Sequence, residues 1–511
     1  MINLLLRYGA AVHVALLVVY ASWARGGSAP AYFWAIPWLA LGIVELMFLL
    51  PPSGNATSPH NAVRRVWRGL LRDPIFYAGG VLILFLLLQW LNGPREMIRN
   101  AATATWEYTP PPWPGLPCCV NRADAAQVLL WAIGAYAVLL ALRHGMRFAA
   151  KRWLLQVIVY NGAVLSLVGL LHLMTGTSNL FWIRPIEVYF FSTFGYPNHA
   201  SAFFTLVTAI NLGLLFEALD GQRQESAGSS WLMIALALNL LGVCFALGRA
   251  GMVLTLGILV VAALYGFFYL WNRTTLATRV RLWVLIGGMV LAAGYFAVTV
   301  PDNVVIRELR TINWLQLHTQ LQGDRAELAR SAIDIWQDYP WAGVGGWGFR
   351  RYVGIYMGPE KYEYLRSAGR ANVHNDAVQY LCEHGVIGLV LILGLIFVLI
   401  GQLWFRLAVM PRKHDDGAIQ PRSWFMSVSP VVWFCIIGTS ATVIHSLIDL
   451  PFRNMAIIAT WFIALAAAPA FVPRRPAISS SPSPSSSSSS NASRNNINHN
   501  GNQRHESLPD S

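Results

Sequence analysis

Apolar residues gather into long runs separated by short polar segments. A bilayer core of about 30 Å takes about 20 apolar residues per helix. Twelve runs meet or approach that length, at roughly 8–24, 31–50, 74–92, 125–142, 153–174, 199–217, 230–247, 250–271, 281–300, 385–405, 424–446 and 455–472. The pattern predicts an all-α polytopic membrane protein of about twelve transmembrane helices. Between the ninth and tenth runs it leaves one large loop, about residues 301–384, with helical periodicity in part. A shorter loop covers 93–124. Residues 1–472 are expected to form the transmembrane domain. From about 473 the chain is Pro/Ser-rich and then Asn-rich, has little to bury, and is expected to be a disordered tail (473–511). Small residues follow the first run as in a secretory signal, but Arg25 directly after Ala24 argues against cleavage.

Composition agrees. Charged residues make up 12% of the 511, apolar residues 55%, and mean hydropathy is +0.47. Globular domains carry roughly 25% charge. Too few charges exist here to cover a water-facing surface, which excludes a soluble enzyme, a disordered chain and a disulfide-rich secreted domain. A net charge of +13 would suggest a nucleic-acid partner in a soluble protein; in a membrane chain the positions of the cations matter more. With the N-terminus in the cytoplasm, inside loops hold seventeen Lys/Arg and short outside loops seven. The reverse topology inverts that ratio, against the positive-inside rule. The tail, with Arg474 and Arg475, is then cytoplasmic too, and no nucleic-acid partner is expected. Cys244, Cys382 and Cys435 lie in or beside apolar runs, and Cys118 and Cys119 are adjacent in a loop. This is neither metal-ligand spacing nor a disulfide framework.

Chemistry is expected on the outward side. The 301–384 loop holds nine Lys/Arg, most of them balanced by the loop's own acids. Gly323-Asp324-Arg325-Ala326-Glu327 reads as a helix start, with Asp324 as cap and Glu327 three residues on. Arg325 then sits in the first turn, where a cation opposes the helix dipole, so helix stability does not explain it. Gly343, Gly345 and Gly348 match G-x-G-x-x-G, but no βαβ unit surrounds them. A tight turn laying aromatics on the bilayer surface is the better reading. Asn375 to Arg406 is 32 residues, about 48 Å of helix. The first turns should therefore project outward or break near Gly385, which puts His374 and Asn375 at the outer mouth of the bundle. Asn198 and His199 open the sixth run on the same side. Arg249 sits in a turn of almost no length, and an Arg at membrane depth is a functional candidate by default. His445 to Arg453 closes the set, with Asp449 and Arg453 one helical turn apart and expected to pair.

Over roughly residues 190–455 these pieces resemble the O-antigen ligase and polymerase superfamily of bacterial inner membranes. The resemblance rests on Gly195-Tyr196-Pro197-Asn198-His199, on Arg249-Ala250-Gly251, and on Arg325 fifteen residues before Pro340. It continues through Pro340, Gly343 and Gly345, then His374-Asn375, Tyr380-Leu381, Glu383, Gly385 and Gly388, and ends on His445-Ser446, Asp449 and Pro451. One departure is Ala329, where the family often has Trp. The resemblance implies transfer of a glycan from undecaprenyl diphosphate to a hydroxyl acceptor (another glycan, a lipid A-core or a protein) on the periplasmic face of the inner membrane. The residues suit that chemistry. Guanidinium forks hold phosphates bidentately, so Arg249 and Arg325 are expected to clamp the diphosphate. Neutral imidazole takes a hydroxyl proton near neutral pH, so His374 is expected as general base. Asn198, His199, Asn375 and His445 are expected to line the substrate. In-line displacement would invert the anomeric centre. Without an outward Asp-x-Asp or Glu/His cluster, no metal and no cofactor is expected. A glycan-repeat polymerase and a protein O-oligosaccharyltransferase would use the same parts. A twelve-helix secondary transporter is a more distant alternative, disfavoured because its two halves should resemble each other and its charges should lie at mid-membrane. Neither the sugars nor the oligomeric state leaves a mark in the sequence.

Overall fold

A computed structural model describes residues 2–24, 35–49, 59–94, 97–99, 106–185, 189–219, 226–270, 279–280, 323–357, 371–409 and 428–472. The expected run at 281–300, the remainder of the 301–384 loop and the tail lie outside the described residues. The helices are α1 (Ile2–Trp23), α2 (Ala35–Leu49), α3 (Pro59–Leu70), α4 (Pro74–Leu91), α5 (Arg122–Leu140), α6 (Phe148–Met174), α7 (Pro197–Leu219), α8 (Ser226–Phe245), α9 (Arg249–Leu270), α10 (Asp324–Asp338), α11 (Phe349–Met357), α12 (Asp376–Ala408), α13 (Pro430–Ser446) and α14 (Met455–Ala467). Two minimal hairpins are the only strands among the described residues. Among the described residues, seven helices, α4 to α9 and α12, are long and apolar enough to cross a membrane, and three shorter apolar helices accompany them at Tyr8–Trp23, Pro430–Ser446 and Met455–Phe471.

α7 is the axis. Nearly all of its side chains are buried, and it packs against α6, α8, α9, α13 and α14. Gly213 brings α13 close: a Cβ there would stand 3.0 Å from the Val431 Cα. At one end of the bundle, Asp73 caps α4 through Ile75 N (3.1 Å) and takes Arg143 Nε (2.6 Å) and His144 Nε2 (2.9 Å). Burial pushes the Asp73 carboxyl up, but the bonds from His144 and Arg143 outweigh it and hold the group well below the usual carboxylate range.

At the other end, a small second core of Val120, Leu328, Ala332, Ile335, Val344, Phe349, Val373 and Cys382 seats α10 and α11, with Ala329 partly buried against it. The glycine turn is the mount. Gly345 N donates to Glu383 O (2.7 Å), Val344 N to Cys382 O (3.2 Å), Val386 N to Pro340 O (2.9 Å) and Ile387 N to Trp341 O (3.0 Å). α12 breaks at Gly385 (φ 62°), where its length called for a break. Gly343 and Gly345 also have positive φ, and a Cβ on Gly343 would lie 2.4 Å from the Glu383 carbonyl carbon.

Two local expectations are corrected. α10 starts at Asp324 itself, with Gly323 as an N-cap that makes no side-chain bond, so Asp324 does not cap. The turn also does not spread its aromatics on the bilayer. Trp347 and Phe349 are 5% and 0% exposed, because the glycines let the turn sink against α12; only Trp341 faces out.

Candidate functional site

The site forms around Asp449, in the corner between α13 and α14. That carboxylate is only 2% exposed and is approached from three other elements. Tyr196, just before α7, donates its hydroxyl to both carboxylate oxygens at 2.9 Å. Asn198, in the first turn of α7, donates to Oδ2 at 2.5 Å and to the Tyr196 oxygen at 3.1 Å. Arg325, in the first turn of α10, places Nη2 at 3.7 Å from Oδ2. His374, immediately before the α12 cap, places Nδ1 at 3.7 Å from Oδ1 and 3.5 Å from the Tyr196 hydroxyl. His374 has φ 56°, a left-handed conformation that costs a non-glycine residue on the order of 1 kcal/mol.

Burial alone would push the Asp449 carboxyl up. The His374 imidazole and the Arg325 guanidinium beside it reverse the shift and hold it well below the usual range. The group's contribution to stability is therefore present above the unfolded carboxylate pKa of ~3.9 and is lost only as pH falls through the lower folded value. Burial and the neighbouring Asp449 push the Tyr196 phenol up, so it stays a neutral donor.

The backbone of the corner is held as well. Asn375 caps α12 through Val378 N (3.1 Å) and donates to Leu447 O (2.9 Å). Arg325 Nη1 donates to Ile448 O (3.1 Å) and His199 Nε2 to Leu450 O (2.9 Å); because a carbonyl only accepts, that nitrogen carries the proton. Phe452 N donates to Asp376 Oδ2 (2.8 Å). His445 is buried one turn before Asp449, with no hydrogen-bond partner on either ring nitrogen among the described residues.

Of the expected site residues, Arg325, His374, Asn198, His199 and Asn375 all touch Asp449 or its corner. Arg249 heads α9 half-buried. Its turn is pressed onto α7: a Cβ on Gly248 would lie 2.0 Å from Ser201 Oγ and 3.1 Å from Asn198 Oδ1. Arg249 thus sits one residue from backbone that abuts the site.

The expected Asp449–Arg453 pair does not form. Arg453 turns away to Glu383 (2.7 Å) and Asp376 (3.6 Å) and lies over the Trp347 ring at 4.6 Å. The reason is that α13 ends at Ser446 and Pro451–Arg453 is a 3-10 turn, so helical i,i+4 adjacency does not apply. Two participants were missed. Tyr196 was visible only as part of a loop, and Asp449 was assigned to the wrong partner. Removing one side of a buried ion pair costs ~3–5 kcal/mol. Arg453→Met should accordingly lower the thermal midpoint sharply, and Arg453→Met with Glu383→Leu should recover most of the loss. Wild-type stability in the single variant would contradict the pair.

Comparison with known proteins was made with this geometry in hand. Residues 234–393 match the family model described as O-antigen ligase. That match covers about a third of the chain and supports its resemblance to the O-antigen ligase/polymerase superfamily. No curated protein matches the chain. The O-antigen ligase stretch contains Arg249, Arg325, His374 and Asn375, whereas Asn198, His199, His445 and Asp449 fall outside it. Together with the apolar helices, the O-antigen ligase match marks an integral membrane protein and a family of membrane enzymes.

Proposed function

We propose that the chain is a membrane glycosyltransferase that moves a glycan from undecaprenyl diphosphate to a hydroxyl acceptor at the periplasmic face of the bacterial inner membrane. The observation that carries this reading is the gathering of Arg325, His374, Tyr196 and Asn198 on one buried carboxylate. In the reaction, the acceptor oxygen attacks the anomeric carbon as the bond to the diphosphate oxygen breaks on the opposite side, inverting the centre. His374 takes the acceptor proton. Asp449, on the Nδ1 side, favours the tautomer that leaves Nε2 free to accept it, the role a carboxylate plays behind a catalytic imidazole. The diphosphate leaves as an anion and needs charge more than a proton. Arg325 and Arg249 supply it, the kind of contact that lowers a barrier by several kcal/mol. Arg325 is 41% exposed, so a phosphate can compete with Asp449 for it. Asn198, His199, Asn375 and His445 shape the surrounding surface.

The decisive experiment incubates membranes carrying the chain with a labelled undecaprenyl-diphosphate glycan and asks which acceptor gains label. Transfer to lipid A-core, to a second lipid-linked glycan or to protein separates ligase, polymerase and protein transferase; no transfer to any of them removes the proposal. Two further results are expected. Arg249→Lys keeps the charge but loses the fork and should turn over at no more than about a tenth of the wild-type rate, one lost charge-assisted bond being worth ~1.5 kcal/mol or more; wild-type turnover would make Arg249 a purely structural cation. Transfer should persist in excess chelator, and inhibition reversed by added Mg²⁺ or Mn²⁺ would defeat metal-independent catalysis.

A further inference from the structure

α3 belongs to no apolar run, and nothing in the proposed reaction uses it. At about 100° per residue, three surfaces run along it. Val66 and Leu70 are buried against Leu140, Phe76 and Tyr136. On the opposite arc stand Arg64, Arg65 and Arg68, all exposed, with Arg72 just past the helix end. In the gap between these faces lie Trp67 and Leu71, 48% and 54% exposed. Beside them stands Tyr77 of α4, also exposed, whose hydroxyl donates to Leu71 O at 2.9 Å.

Several other cations at this end are engaged, although Arg147 is also exposed. Arg143 is taken by Asp73, Arg152 by Glu217 and Arg406 by the Pro469 carbonyl. Arg64, Arg65, Arg68 and Arg72 have no ion-pair partner among the described residues. α3 also lies far from Asp449. α4 runs from Asp73, beside α3, to Gln89, which donates to Ala342 O (2.7 Å) under the outer mount. Eighteen residues make about 27 Å of helix, a bilayer core.

We propose that α3 is an interfacial helix that binds anionic phospholipid headgroups on the membrane face opposite Asp449. An apolar strip of Trp67, Leu71 and Tyr77 next to an arginine strip without an ion-pair partner among the described residues is the geometry of a helix lying at headgroup depth: aromatic and aliphatic groups dip toward the acyl chains while guanidiniums meet phosphodiesters. A nucleic acid or an acidic protein would meet the arginines but would leave the apolar strip in water.

The test uses the full chain in phosphatidylcholine vesicles with and without phosphatidylglycerol, reading the thermal midpoint. Wild type should gain stability from phosphatidylglycerol, and the gain should shrink as salt is raised. Arg64→Gln/Arg65→Gln/Arg68→Gln should lose most of the gain and keep the wild-type midpoint in phosphatidylcholine. Arg330→Gln, an exposed cation on α10, should keep the gain. An undiminished gain in the triple variant, or an equal loss in Arg330→Gln, would overturn the proposal. So would stabilisation by RNA or an acidic peptide in phosphatidylcholine with none from phosphatidylglycerol. If the triple variant does not insert, each single variant should still lose part of the gain, and no loss in any of the three would be equally fatal.

Discussion

His374→Ala should reach the membrane at wild-type levels and lose glycan transfer by a factor of about 10²–10⁴, the span a positioned general base contributes. Three features place the effect in chemistry rather than in folding. The imidazole belongs to neither apolar core: its side chain is 15% exposed and faces the Asp449 carboxylate. Its backbone is held left-handed, at φ 56°, while flanking bonds from Val373 N to Gln379 Oε1 (3.1 Å) and from Val378 N to Asn375 Oδ1 (3.1 Å) fix the approach to α12. A strained position kept by its surroundings points to a functional demand on that side chain. Replacement by Ala removes the imidazole's approach to Asp449 and Tyr196, so the thermal midpoint should fall by a few degrees while the protein still folds and inserts. The measurement is label transfer per mole of membrane-inserted protein. Transfer at the wild-type rate would remove His374 from the mechanism.

Asp449→Asn should be nearly as damaging. The amide keeps the shape but puts a donor where Tyr196 and Asn198 donate, and it takes the charge from beside Arg325. It also removes the anion that selects the His374 tautomer. A buried donor cluster left without its acceptor costs ~1–3 kcal/mol in stability, so this variant should melt earlier as well as lose transfer, on the order of 10²-fold or more. Coupling distinguishes a shared role from two separate ones. If Asp449 acts through His374, the double variant should transfer glycan about as poorly as His374→Ala alone, since residues that work as a unit are non-additive. Multiplying losses would show that Asp449 acts independently, through the arginines or through the corner itself.

What the sequence exposed and what it hid have physical explanations. The spans from α4 to α9 were legible because each is a run of bilayer length with charges only at its ends. The length of the α12 run left two outcomes, outward projection or a break near Gly385, and the helix breaks there. α3 was not legible: three arginines interrupt its twelve residues, and its buried face is two residues wide. The Asp449–Arg453 misreading came from extending a helical spacing rule across a proline that ends the helix. Tyr196 escaped notice because phenols are common at membrane boundaries and its hydroxyl gains meaning only when α13 delivers a carboxylate to it. The glycine turn was read correctly as a turn, but its direction depends on Cys382 and Glu383, which lie far along the chain and meet it only in the fold.

The manner in which the outer segment is fastened to the broken helix bears on how such proteins diversify. The joint uses peptide groups and three left-handed glycines, so it constrains backbone at a few places and is indifferent to most side chains nearby. Residues on the exposed rim, Trp341 among them, are therefore free to change without loosening what lies underneath. Under the proposed function, substitution at that rim changes acceptor recognition while the imidazole, the carboxylate and the guanidiniums keep their spacing.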